Sequence, residues 1–245
     1  MELDFLLAEV ANSLRRIDSE DTSLRFNQRT GATYHPGLPS MNERDVTKSL
    51  ARLLSSTEQQ SLFQKNVLSE YPYPNIKRAK CDLVIPFEHS RQDKVHFEWA
   101  IEVKAPVLIG DNGKNNDYNV QKMLSPYLKD RSLVHDIDRL LSDPFADRLA
   151  VIGYMFSYSD KSCDLALQRH PNELSRIDSI REVVWRNDPT NGTLSALDLI
   201  IAADRLLQYE GVVSDLKIVE FNDLWAHPCG GEGYVFGWEL IQRSR

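Results

Sequence analysis

The chain has 245 residues, of which 42% are hydrophobic and 27% are charged. This length can bury a core that needs neither disulfides nor a structural metal, and no apolar run approaches the roughly 18 residues of a membrane span. The net charge of -7 has the wrong sign for a protein whose whole surface binds phosphate, so any nucleic-acid contact is expected to be local or shared with a partner.

The N-terminus and the cysteines favour a cytoplasmic location with no membrane contact. Glu2, Asp4 and Glu9 place acidic side chains where a secretory signal carries positive charge, and no small-residue cleavage site follows them. The three cysteines are an odd number at wide spacings, which argues against both a disulfide framework and a zinc signature. Reduced thiols are expected.

The first forty residues predict a helix followed by a linker. Apolar residues from Leu3 to Ile17 recur at helical spacing. Residues 26–40 contain two prolines, two glycines and no periodicity, which is typical of a loop or an ordered linker. We therefore take 1–39 as an N-terminal helix and linker. A second helix is predicted from Ser40, at an N-cap position with Glu43 three residues later, as in a capping box.

The rest of the chain predicts a mixed α/β sheet with helices on both sides. Residues 40–158 would form a core, and 159–245 a C-terminal α/β extension packed on the same domain. The polar segment between the second and third strand-like runs is typical of a hairpin. The predicted strands are 63–71, 79–87, 95–105, 149–158, 216–221 and 233–241, and the later helices are 117–142 (interrupted at Ser125-Pro126), 171–185 and 195–209.

The third run ends in "WAIEVKAP", where Glu102 and Lys104 share the face opposite the apolar side chains. A symmetric hairpin with Phe87 opposite Phe97 would place Asp82 directly opposite Glu102, with Cβ atoms about 4.5 to 5.5 Å apart. Two carboxylates that close repel each other unless one is protonated or a cation lies between them. Magnesium binds at sites of this kind, where one or two carboxylates are ligands and water molecules supply the rest.

Lys104 could reach the same pocket and stabilise charge on a phosphoryl group, or position and help deprotonate an attacking water. The structural alternative is a plain ion pair between Glu102 and Lys104 with Asp82 nearby by chance. An exposed pair of that kind contributes only about 0 to 1 kcal/mol.

Asp82, nineteen intervening residues and then Glu102-Val103-Lys104 resemble the motif of the PD-(D/E)XK, or restriction-endonuclease-like, nuclease superfamily. The core of that superfamily is similar to the predicted order of helix, three-stranded antiparallel meander, helix and strand, running here from Glu43 to about Tyr158. Cys81 stands where the name of the motif has proline, a residue that is often absent.

The resemblance implies that Asp82 and Glu102 are metal ligands and that Lys104 is the catalytic lysine. It also implies metal-site roles for Glu43 on the first core helix and for Glu70 on the first strand. A capping role for Glu43 and a solvated strand-end role for Glu70 are the structural alternatives.

Gln121 or Tyr127 could match polar residues that some members carry on the helix after the motif. The local basic stretch Lys77, Arg78 and Lys80 is the best candidate for phosphate contact, and a solvated lead-in to the second strand is its alternative.

The implied activity is that of a Mg²⁺-dependent endodeoxyribonuclease, in which Mn²⁺ can substitute and DNA is the substrate. The resemblance also implies a role in antiviral host defence or in a mobile element. The partner would be a second copy of the chain in a homodimer, a partner ATPase or a defence-complex subunit. The alternative function is a catalytically silent nuclease-fold module that binds nucleic acid or a partner protein.

Overall fold

The computed structural model describes residues 1–23, 25–26, 31, 33–34, 36–55, 66–87, 97–106, 123, 132–156, 196–224 and 231–241. Its helices are α1 (Leu3–Glu20), α2 (Glu43–Ser55), α3 (Leu133–Ser142) and α4 (Ala196–Glu210), with a 3-10 turn at Leu38–Ser40. Its strands are β1 (Arg25–Phe26), β2 (Thr33–Tyr34), β3 (Leu68–Pro72), β4 (Lys80–Pro86), β5 (Phe97–Lys104), β6 (Ala146–Phe156), β7 (Lys217–Leu224) and β8 (Gly231–Glu239). The predicted helix at 171–185 lies outside the described residues.

Six strands form one mixed sheet in the order β3-β4-β5-β6-β8-β7. The first three are an antiparallel meander, β6 runs parallel to β5, and the remaining pairs are antiparallel. Helix α1 packs against β7 and β8, while α2 and α3 both contact β5. The predicted α/β class with a mixed sheet flanked by helices is confirmed. No helix in the described part of the chain has both the length and the apolar character to cross a membrane.

The segment predicted as a linker contains regular structure. Strands β1 and β2 pair as a short antiparallel ribbon, and the 3-10 turn follows. The carboxylates of Asp18 and Asp21, near the end of α1, accept hydrogen bonds from Leu38 N (2.8 Å) and Gly37 N (2.7 Å). Because these partners are far apart along the chain, no local pattern in the sequence reveals them.

The predicted register of the hairpin is correct at the end that carries Asp82 and Glu102, and it is wrong near the turn. Ile85 pairs with Trp99 as predicted, and Leu83 pairs with Ile101. The register shifts at Pro86, which pairs with Phe97 in place of Phe87. Since the shift lies on the turn side, the register at Leu83, continued by one residue, still brings Asp82 level with Glu102.

Strand β5 is buried along its whole length, including the face that carries Glu102 and Lys104. All eight of its residues are buried, among them Glu98, Glu102 and Lys104. Neighbouring strands lie on both edges and helices α2 and α3 contact the strand. The charged end of β5 is therefore a partly dehydrated site, and Glu102 and Lys104 are not a solvated surface pair.

Candidate active site

The two predicted carboxylates meet between β4 and β5. The carboxyl groups of Asp82 and Glu102 lie close enough to share a hydrogen bond when one of them is protonated. Val103 N also donates to Asp82 Oδ2 at 2.8 Å, which holds this carboxylate against the neighbouring strand. Glu102 is only 1% exposed. A pair of carboxyl groups is thus held in contact and largely away from water.

Two donors hold Glu102 in place. The Tyr73 hydroxyl, just after β3, donates to Glu102 Oε1 at 2.6 Å, and Arg139 Nη2, on α3, donates to the same oxygen at 3.0 Å. The Arg139 guanidinium also lies 6.0 Å from the centroid of the Tyr73 ring. Burial and the Glu102 charge both raise the pKa of Tyr73, so the hydroxyl stays protonated and remains a donor.

Lys104 reaches across to α3. Its Nζ forms an ion pair with Asp136 Oδ2, and Asp136 Oδ1 accepts a hydrogen bond from Arg139 Nη2 at 2.6 Å. Asp136 is 1% exposed. A continuous chain of charged groups therefore runs from Lys104 through Asp136 and Arg139 to Glu102.

Glu43 joins this end of β5, and its predicted capping box is wrong. Helix α2 begins at Glu43, and Asn42 Oδ1 caps it by accepting from Asp45 N at 2.9 Å. Ser40 lies in the preceding 3-10 turn, where its Oγ donates to Gly37 O. Glu43 Oε2 accepts from Ala105 N at 3.1 Å, next to Lys104. The carboxylate is therefore directed towards the site.

Among the described residues, Glu70 contacts exposed cations and not the buried groups that surround Asp82 and Glu102. Its described partners are Arg44, at 2.7 Å from Arg44 Nε to Oε1, and Lys80, at 3.9 Å from Nζ to Oε2. The predicted helix residues Gln121 and Tyr127 lie outside the described residues.

The electrostatics of the site follow from burial. Burial raises the pKa of Glu102 well above its ordinary value, and the charges of Asp82 and Asp136 add to this effect. Burial also raises the pKa of Asp82, against the hydrogen bonds from Glu102 and Val103. For Lys104 burial acts to lower the pKa, but the carboxylates of Asp136 and Glu43 outweigh it and raise the pKa. Lys104 is therefore an ammonium at neutral pH.

The cluster contains more carboxylates than cations. If every group is ionised, two negative charges remain uncompensated, which is costly where water is largely excluded. A divalent cation would balance them, and two carboxylates with bound water are ligands that Mg²⁺ prefers. The carboxylates are Asp82, Glu102, Asp136 and Glu43, and the cations are Lys104 and Arg139.

The donor set fits a magnesium ion that is held mainly by two side chains. Within the described residues, no group of three or more His, Cys, Asp or Glu side chains is placed to hold a metal. A two-carboxylate site leaves most positions to water and to substrate oxygen, which is common for Mg²⁺. Asp82 and Glu102 are the residues that would hold it.

Sequence reasoning missed Tyr73, Asp136 and Arg139. Asp136 carried a usable signal, because it stands three residues after Leu133 and four before Leu140, on the face that packs into the core. A carboxylate within an apolar stripe needs a buried partner. Tyr73 and Arg139 had no comparable signal.

Comparison of the chain with protein-family models, with curated proteins and with solved structures gives no match. Any conclusion about function therefore rests on the residues and geometry of the site itself.

Proposed function

We propose that the protein is a metal-dependent nuclease with a restriction-endonuclease-like core, most simply a DNA endonuclease that uses Mg²⁺. The observation that carries the proposal is the contact between Asp82 and Glu102 within a buried cluster that has an excess of negative charge. The Lys104 ammonium lies at the same end of β5. Two acidic ligands beside a fixed ammonium suit the hydrolysis of a phosphodiester.

The order of elements supports the same proposal. Helix α2 is followed by the antiparallel meander β3-β4-β5, then by α3 and β6. This is the order that the resemblance to the PD-(D/E)XK superfamily implies. Asp82 near the start of β4, Glu102 near the end of β5 and Glu43 at the start of α2 also support the proposal, because the resemblance implies acidic residues on these elements.

The reaction would be water attack on phosphorus, with a new P–O bond formed to water and the bond to a sugar oxygen broken. The attacking water would lose a proton to solvent, and the departing sugar oxygen would take one from solvent. When bound, Mg²⁺ would lower the pKa of water and withdraw charge from the phosphoryl oxygens. Lys104, kept protonated by Asp136 and Glu43, is suited to stabilise negative charge on those oxygens and is poorly suited to act as a base. Asp136 would also hold Lys104 in position, and Tyr73 and Arg139 would orient Glu102.

We expect the purified protein to nick or cut plasmid DNA with Mg²⁺ or Mn²⁺, and to lose this activity in Glu102→Ala and Lys104→Ala. The measurement is gel analysis of supercoiled, nicked and linear plasmid over time. Lys217→Ala is a matched control, because Lys217 is an exposed lysine on the edge strand β7 that pairs only loosely with Asp4, at 3.4 Å. Equal cutting by wild type and both site variants would contradict the proposal.

A catalytically silent binding module is the second candidate. It is favoured by the ion pairs that Glu102 and Lys104 make with α3, since such a network can serve only to hold the helix against β5. A module of this kind need not take up a divalent ion at Asp82. Metal binding therefore separates the two candidates.

A further inference from the structure

A second charged cluster lies beside the site, on the exposed surface between α2 and β4. Arg44 forms a two-pronged contact with Glu70, from Nε to Oε1 at 2.7 Å and from Nη2 to Oε2 at 2.9 Å. Lys80 approaches Glu70 Oε2 at 3.9 Å, and Lys48 contributes to lowering the Glu70 pKa, after the larger effect of the Arg44 hydrogen bond. Arg44 and Lys80 thus contact one carboxylate, and Lys48 is exposed one helical turn after Arg44 on the same face of α2.

This cluster adjoins the carboxylate pair through two neighbouring elements. Arg44 directly follows Glu43, whose carboxylate binds Ala105 N at the end of β5. Ser69 pairs with Leu83 and Tyr71 with Cys81, so Glu70 lies level with Asp82 on the adjacent strand. A phosphate bound by the cluster would therefore lie beside the site.

The backbone at this surface is strained. Among the described residues, Glu70 (φ 54°) and Arg78 (φ 65°) are the non-glycine residues with positive φ, a conformation that costs free energy and often accompanies function. Both belong to β3 or to the turn that joins it to β4. The strain at Glu70 coincides with its carboxylate meeting Arg44 and Lys80.

A planar guanidinium that donates two hydrogen bonds to a carboxylate can donate two to a phosphate in the same way. We propose that Arg44, Lys48 and Lys80 form a docking surface for a backbone phosphate of DNA, and that Glu70 occupies the position of this phosphate in the free protein. This inference rests on the proposed function for its choice of DNA as the polyanion. Glu70 would then be an internal competitor of the substrate and not a metal ligand.

The test is the binding of a short fluorescein-labelled DNA duplex, measured by anisotropy in EDTA at several salt concentrations. Glu70→Gln should tighten binding by about three- to tenfold, because three cations become available to phosphate. Arg44→Gln combined with Lys80→Gln should weaken binding and reduce the slope of log K against log salt by about 1, since the loss of one phosphate contact removes about 0.9.

Glu20→Gln is the matched control. Glu20 is a carboxylate on α1 that pairs with Arg16 at 2.6 Å and lies 3.7 Å from Arg52 at the end of α2, so this variant makes the same charge change beside a different pair of arginines. Unchanged or weaker binding in Glu70→Gln, equal tightening in Glu20→Gln, or no DNA binding by wild type and Glu70→Gln would overturn the inference.

The outcome is separable from that of the nuclease proposal. Tighter DNA binding by Glu70→Gln with no cleavage by wild type would contradict the nuclease and leave the docking surface standing. Cleavage by wild type with loss of both Mg²⁺ binding and cleavage in Glu70→Gln would assign Glu70 to the metal and overturn the docking surface alone.

Discussion

Replacing Glu102 with glutamine is expected to stabilise the metal-free protein and to abolish Mg²⁺-dependent cleavage. Glutamine can still accept from Tyr73 and Arg139, and its amide can donate to Asp82, while the buried negative charge disappears. At pH 8 in EDTA the free energy of unfolding should rise, because the variant has no buried carboxyl group whose ionisation opposes folding. Urea unfolding with and without Mg²⁺ measures the change.

The same variant should change how stability depends on pH. A carboxyl group whose pKa is higher in the folded state binds more protons when folded, so stability falls as the pH rises from its ordinary value through its raised pKa. Those ordinary values are 3.8 for Asp82 and 4.5 for Glu102. In EDTA these two groups should therefore cause the wild type to lose stability as the pH rises above their ordinary pKa values. Glu102→Gln should remove most of that loss, and Mg²⁺ should oppose it in wild type alone.

Glu220→Gln supplies the matched control, because Glu220 is an exposed glutamate on the edge strand β7. That variant should leave stability, its pH dependence and cleavage unchanged. A loss of stability in Glu102→Gln, with the pH dependence retained, would instead identify Glu102 as a structural ion-pair partner of Arg139.

Replacing Arg139 with methionine is expected to cause the largest loss of stability among changes at the site. Arg139 is the cation that contacts both Glu102 and Asp136, and methionine keeps much of its volume while leaving both carboxylates without that partner. Removing one member of a buried ion pair typically costs about 3 to 5 kcal/mol. Since the Arg139 side chain is 21% exposed, we expect about 3 kcal/mol, measured by urea unfolding in EDTA.

Arg16→Met is the control for this change. Arg16 pairs with Glu20 one turn along α1, and both side chains are about half exposed, so the loss should be much smaller than in Arg139→Met. Mg²⁺ should restore part of the stability of Arg139→Met, because a bound cation would replace some of the missing positive charge. Equal small losses in the two variants would contradict the charge balance described for the site.

The carboxylate pair could be predicted because its causes are local. Alternation along "WAIEVKA" places Glu102 and Lys104 on one face, and a short hairpin brings Asp82 opposite Glu102. The register shift at Pro86 leaves the alignment of Asp82 with Glu102 unchanged, because it lies on the other side of Ile85 from the site.

The α3 side of the site could not be predicted in the same way. Asp136 and Arg139 reach Lys104 and Glu102 only because the helix packs across β5 and β6, and that packing depends on distant parts of the chain. The prediction of the residue that caps α2 was wrong for a related reason. Both Ser40 and Asn42 suit an N-cap, and the hydrogen bonds of the 3-10 turn decide between them.

The most direct test of the central claim is calorimetric titration of the purified protein with Mg²⁺ at pH 8. We predict saturable uptake by wild type that disappears in both Asp82→Asn and Glu102→Gln and persists in Glu220→Gln. Uptake that survives in the two site variants, or no uptake by wild type, would contradict the claim that Asp82 and Glu102 hold a divalent cation.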